Sequence, residues 1–388
     1  MSWDTVIGQE RVVTALRTAV GGGRVAQAYL FHGPDGSGKR AAALALAQAI
    51  LCERRGSAGA PADDACGECP ACLRVRHLSH PDLQFFLPRP KDAEPSDVAA
   101  RLAMLVQDPY AAVDYRRRGS IDGKRGPNKQ AIYPIELINR DLRRVLSLHP
   151  AEGRATVAVL TDADAMNDQA ANSFLRLLEE PRPHVTLVLT VERPDQLLPT
   201  VLSRCQRVRF DPLSAEEIES ALLAAGEAPA RATQVARQAD GSYTRARGLL
   251  EGDDLHALRE RAMAFAGAAF ALRASEMPGI VEATAALGRE PIKGLLALLL
   301  GWVRDLMLAS TAGEGARIAN VDYSEAIFDI VRRAPAARLD GMVRAIEEAA
   351  ELLERNVHSV LLLSTLAHAL HGALHGDRRE GVHAPLTG

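Results

Sequence analysis

The chain changes texture near Pro212. Before it, short apolar runs alternate with stretches of helical spacing. Ala28 to His32 (AYLFH) predicts a strand that runs straight into GPDGSGKR and then an Ala/Leu-rich helix from Ala41 to Leu51. Further strands are predicted at DLQFFL after Pro81, TVAVLT after Ala155, VTLVLTV after His184 and RVRF before Asp211. Apolar residues recur at helical spacing between Leu142 and Leu148 and between Ala170 and Leu178, and Pro181 is expected to stop the second of these helices. Such alternation implies an α/β domain, a parallel sheet covered on both faces, over residues 1–210.

After Pro212, SAEEIESALLAAG opens with Ser214 and places Glu217 three residues later, a capping-box start, and no strand-like run follows. The remainder reads as two all-α domains. A small lid bundle is expected over 211–277 and a second bundle over 278–374, punctuated by Pro278, Pro291 and Pro335. The tail 375–388 is rich in Gly, Arg and His and should be loose. The polar segment 88–130 carries Pro88, Pro90, Pro95, Gly119, Gly123, Gly126 and Pro127, and reads as an inserted surface loop with one short helix around Val98 to Val106.

Composition narrows the class. A chain of 388 residues is too long for one core, so two or three domains are expected. With 47% hydrophobic and 24% charged residues it has the make-up of an ordinary soluble protein. No apolar run reads as long enough to span a bilayer, so no membrane association is expected. The start MSWDTVIGQE lacks the pattern of a secretory signal, which points to the cytoplasm and to reduced thiols. A net charge of −3 offers nucleic acid no global attraction, so any DNA contact must come from a local basic patch or from partner subunits.

The chemistry begins at GPDGSGKR. Gly33, Gly36, Gly38 and Lys39, between a strand and a helix, fit a phosphate-cradling loop in which backbone N–H groups approach phosphate oxygens and the lysine supplies a charge. The bland alternative is a tight strand-to-helix turn. The next position calls for a Ser or Thr hydroxyl to ligate magnesium, yet here it is Arg40, which has donors only. Bound ATP or ADP is therefore left open. Hydrolysis also needs an acidic pair at the end of a second strand. Counting back from Asn172 and LLEEP puts Thr161 at the metal position and Asp162 at the base position; a shift of one pairs Asp162 with Ala163 instead. Either register impairs turnover.

Cys52, Cys66, Cys69 and Cys72 form a four-thiolate set, with the last three spaced C-x-x-C-x-x-C. In a reducing compartment this pattern suits tetrahedral zinc, and four protein ligands leave no open position for catalysis. An iron–sulfur cluster is the alternative. Cys205 stands alone in apolar surroundings and reads as a small buried residue. The run Arg116, Arg117, Arg118 with Lys124, Arg125 and Lys129 is the best feature for a stand-alone nucleic-acid binder. Tyr110, Tyr115 and Tyr133 flank that run without alternating with it, which favours a solubilising loop.

The segments WDTVIGQERVVTALRTAV, GRVAQAYLFHGPDGSGK, CGECPAC, LRRVLSLHPAEG, AANSFLRLLEEPRPHVTLVLTVE and LLPTVLSRC occur in the order seen in bacterial clamp-loader subunits. The chain resembles that AAA+ family closely over about 1–215, and more weakly in GSYTRARGLL and RNVHSVLLLSTLAHAL. The resemblance implies an AAA+ base with a P-loop, a helical lid and a helical collar through which five subunits join in a ring. It also implies gamma/tau and delta partner subunits, a sliding clamp, and primed DNA reached through the complex. The knuckle is shared by delta-prime and gamma/tau types. Active gamma/tau types keep a hydroxyl after the loop lysine, an acidic pair and a lid arginine; here stand Arg40, Thr161 with Asp162, and Thr244. The SRC motif survives as Ser203, Arg204 and Cys205, and in the family its arginine reaches a neighbour's ATP. These departures resemble the delta-prime type, a subunit that supplies Arg204 as a finger without hydrolysing ATP. An active gamma/tau-type ATPase is the alternative.

Overall fold

The computed structural model describes residues 2–57, 61–91, 93–113, 115, 131–179, 182–251, 253–273, 275–316, 318–355 and 357–376. Pro181, the basic run Arg116 to Lys129 and the tail from 377 lie outside these residues. The chain divides into two compact units, Met1–Arg247 and Gly248–Gly388.

The first unit is built on five parallel strands: β1 (Ala28–His32), β2 (Leu83–Phe86), β3 (Thr156–Leu160), β4 (Val185–Val191) and β5 (Gln206–Arg209). Their order across the sheet is β2-β3-β4-β1-β5. All five sequence-predicted strands are present, and β3 and β4 are buried along their whole length, as continuous apolar runs in a parallel sheet should be. The strand alternation sends residues to two cores. Ala28 and Leu30 face one core with Leu187, Leu189 and Phe174; Tyr29 and Phe31 face the other with Leu16, Leu46 and Phe210.

The first face is covered by a π-helical turn at Leu137–Leu142 that runs into α5 (Arg143–Ser147), by α6 (Asp168–Glu179) and by the short α7 (Pro199–Leu202). The second face is covered by α1 (Glu10–Gly21) and α2 (Lys39–Leu51), with α3 (Pro70–Arg76) packed on α2. Helix α2 is buried on nearly every side, which explains its alanines: small side chains let other elements approach all round it. In the insertion, α4 spans Pro95–Gln107, longer than the short helix expected, and Arg89 bridges Ile132. The unit continues with α8 (Ala215–Ala224), α9 (Pro229–Gln238) and the first turn of α10 (Tyr243–Glu251). Ser214 and Glu217 form the expected reciprocal capping box.

The second unit contains α11 (Asp253–Ala271), α12 (Met277–Ala285), α13 (Arg289–Ala312), α14 (Ser324–Arg333), α15 (Leu339–Glu354) and α16 (Ser359–Leu374). Residues 253–277 read from sequence as part of the lid, but Phe265, Ala269 and Met277 share a core with Leu299, Ile346 and Leu366. Periodicity shows that a helix buries a face and not which partner covers it. The expectation that no segment could span a bilayer also needs correction. Pro291–Ala312, 22 residues, is long and apolar enough by length and composition, yet its apolar stretch is half buried. It carries Ile292, Leu295 and Leu299 in the core of a helical bundle, a place that selects for the same composition.

Candidate functional site

The phosphate loop joins β1 to α2. Gly36 has φ +67°, and a Cβ on it would lie 2.1 Å from Ser242 Oγ; Gly38 caps α2 with φ +97°, and a Cβ there would lie 3.0 Å from Tyr110 Oη. Gly33 is pressed against the Phe210 carbonyl in the same way. Lys39, 7% exposed, folds back and donates from Nζ to the carbonyls of Gly33 at 2.7 Å and Pro34 at 2.6 Å. Burial draws its ammonium down to about 8, against the opposing pull of Asp162 and Glu192. Arg40, at the position that calls for a metal-binding hydroxyl, donates from Nη2 to the Ala111 carbonyl at 3.0 Å.

At the end of β3, Thr161 is 2% exposed and its hydroxyl donates to the Phe86 carbonyl at 3.4 Å. That hydroxyl is engaged in the sheet. Asp162 stands in the left-handed region with φ +49°, and its N–H donates to Thr190 Oγ1 at 3.1 Å. The acids whose charges act on Lys39 are therefore Asp162, Glu192 and Asp164. Thr190 and Glu192 escaped sequence reasoning, because the end of an apolar strand carries no local mark of which loop it faces. Tyr110 escaped it too, as an aromatic in a polar insertion.

The four cysteines converge. Their Sγ atoms all lie within 4.8 Å of one another, and Cys66 Sγ is 3.9 Å from Cys72 Sγ. A tetrahedron with zinc–sulfur bonds of about 2.3 Å has edges of about 3.8 Å, so the set fits such an ion. Backbone N–H groups of Cys66, Cys69 and Cys72 each point at a neighbouring sulfur at 3.4 Å, as thiolate acceptors require. Burial pushes the thiols of Cys52 and Cys72 up, while at Cys66 burial is outweighed by the N–H groups of Glu68 and Cys69 and the thiol falls to about 7. Gln48 of α2 donates to the Cys72 carbonyl at 3.0 Å, tying the knuckle to the domain. Cys205 is apart from this set, and burial pushes its thiol up to about 11.

Arg204 lies two residues before β5, where Gln206 pairs with Tyr29 at the start of β1. It borders a small cleft with Ala26, Gln27, Ala28 and Leu178. The phosphate loop leaves the opposite end of β1. A five-residue strand rises about 3.3 Å per residue, so the arginine and the loop stand at opposite ends of two neighbouring parallel strands, roughly 15 Å apart along β1.

The family model described as "DNA polymerase III, delta subunit" matches residues 8–214, more than half of the chain. The chain belongs to that family. Among curated relatives, DNA polymerase III subunit delta' of Bacillus subtilis is 26% identical over 92% of this chain and 96% of its own length. Subunit tau of the same organism is 24% identical over 92% of this chain, which spans 59% of it. Subunit delta' of Pseudomonas aeruginosa is 33% identical over 55% of this chain and 52% of its own length. The chain is thus a clamp-loader subunit of the DNA polymerase III family, of delta-prime or gamma/tau type. Its fold class is the AAA+ P-loop sheet expected from sequence, followed by helical bundles. In this family setting the matched region contains the loop, the four cysteines and Arg204 together.

Proposed function

We propose that the chain is the delta-prime type subunit of a DNA polymerase III clamp loader, working in the cytoplasm. It does not hydrolyse ATP, and Arg204 completes the ATP site of a neighbouring subunit. The observation that carries this reading is the pairing of a phosphate loop in which Arg40 replaces a metal-binding hydroxyl with an arginine at the far end of the neighbouring strand. A guanidinium there is out of reach of its own loop and available to another chain. It would stabilise charge on the transferring phosphoryl group. The partners in this reading are gamma/tau and delta subunits in a five-membered ring, the sliding clamp, and primed DNA. Residues 1–210 serve as base, the helices after Pro212 as lid and the C-terminal helices as collar. Zinc on Cys52, Cys66, Cys69 and Cys72 stabilises the base without entering chemistry; when bound it supplies a fixed cross-link between α2 and α3.

The test has two parts. The isolated chain should turn over ATP with magnesium no faster than Lys39→Ala. In a reconstituted complex, Arg204→Ala should slow DNA- and clamp-stimulated ATPase while leaving assembly intact. Turnover by the isolated chain that Lys39→Ala abolishes would establish the gamma/tau reading instead.

A further inference from the structure

Two of the departures from an active phosphate site grip the same stretch of chain. Arg40 donates to the Ala111 carbonyl at 3.0 Å, and Thr244 donates from Oγ1 to the Tyr110 carbonyl at 2.8 Å. Tyr110 itself is 4% exposed. Its hydroxyl accepts the Ile7 N–H at 2.9 Å, and its ring meets that of Tyr243 edge-on with centroids 5.0 Å apart. The stretch is braced at both ends. Asp108 accepts from the Tyr110 N–H at 2.8 Å and pairs with Arg247 at 3.5 Å. Buried Arg101 donates to the Val113 carbonyl at 2.7 Å while lying 3.6 Å over the Tyr115 ring.

A nucleotide on a loop of this kind needs three things: room above the glycines, an apolar slot for a planar ring with a backbone donor at its edge, and a contact that couples it to the rest of the chain. Protein atoms take each place. The Tyr110 hydroxyl covers Gly38 and Ser242 covers Gly36. The phenol ring is the planar group, with the Ile7 N–H as its edge donor. The coupling is made by Thr244 on Tyr110 and by the Tyr243 N–H, which donates to the Gly36 carbonyl at 3.1 Å.

We propose that Asp108–Val113 is an internal occupant of the phosphate-loop site, with Tyr110 standing for the ring of a nucleotide. The segment fastens the first turn of α10 to the loop, and no nucleotide enters. This reading concerns the isolated chain and is independent of what Arg204 does in a ring. The test uses the full chain, with calorimetric titration of Mg-ADP and amide hydrogen exchange. The unaltered chain should show no saturable heat at millimolar Mg-ADP. Tyr110→Phe removes the acceptor of the Ile7 N–H, and Thr244→Val, nearly isosteric, removes the donor to Tyr110; both keep the packed shape. Exchange should rise about tenfold at Ile7 in the first and about tenfold over 243–247 in the second, with α15 and α16 unchanged. Saturable Mg-ADP binding by the unaltered chain, or unchanged exchange in either variant, would overturn the proposal.

Discussion

The Arg204 guanidinium donates to the Glu179 carboxylate at 3.1 Å, so the arginine that precedes β5 rests on the end of α6. The side chains are 37% and 49% exposed, and such a pair contributes at most about 1 kcal/mol. It is easily given up. Glu179→Gln should therefore leave the ATPase of a reconstituted complex unchanged or modestly raised, whereas Arg204→Ala should lower it by about tenfold or more. Thermal unfolding of either variant should shift little. If Glu179→Gln slowed the complex as much as Arg204→Ala, the intact ion pair and not a released arginine would be the working element.

The cysteine set predicts one zinc per chain by elemental analysis of protein never exposed to chelator. Cys69→Ser should bring the content close to zero and lower the unfolding temperature of the first unit, because ligands gathered by folding return the ion's binding energy as stability. Iron in place of zinc would turn the assignment to a cluster. Metal content unaffected by Cys69→Ser would discard it altogether.

Lys39 predicts a pH dependence. Its ammonium titrates at about 8 in the fold and near 10.4, roughly, when unfolded. Between those values the unfolded chain holds a proton that the folded chain has released, so this group adds stability as pH rises through the window and withdraws it as pH falls through about 8. Lys39→Met should be the more stable protein near pH 7. Its advantage should shrink by about 3 kcal/mol towards roughly pH 10.5, read from denaturant unfolding of the first unit. An advantage constant across that range would show that the buried ammonium is not depressed.

In the second unit, Asp305 is fully buried on α13 and accepts N–H groups of Ala319 and Asn320 and the Asn320 amide at 2.7 Å. Beside it Arg259 donates twice to Asp322 at 2.6 Å and once to Asn320 at 2.9 Å. Asp305→Ala strands those donors and should destabilise this unit by about 2–4 kcal/mol, with zinc content untouched. A loss below about 0.5 kcal/mol would mean that water replaces the carboxylate without cost.

Much of the first unit was legible because its signals are local. Five strands, the glycine loop, the cysteine knuckle and the Ser214 capping box each occupy a short stretch whose residue types dictate its conformation. The site was only half legible. That Arg40 lacks a metal-binding hydroxyl can be read from one letter, but its partner, the Ala111 carbonyl, lies 71 residues away and any residue could supply it. Thr190 and Asp162 likewise meet only because β3 and β4 are neighbours in the sheet. The lid boundary failed for a related reason. Helix α11 has apolar residues over much of its surface, and nothing in that pattern says that Phe265 packs with Leu299 and Leu366.

The parallel pairing of β1 and β5 has a further consequence. With the loop at the end of β1 and Arg204 before the start of the neighbouring β5, the role proposed for Arg204 would give the molecule a giving side and a receiving side that cannot meet on one chain. Copies joined through such sides are related head to tail, and the row they form has a direction. A member whose receiving side is filled from within can give to one neighbour and take from none. On the proposed reading this chain would end the row, so an assembly built on this rule would have room for it once, at one terminus, and its length would be counted from there.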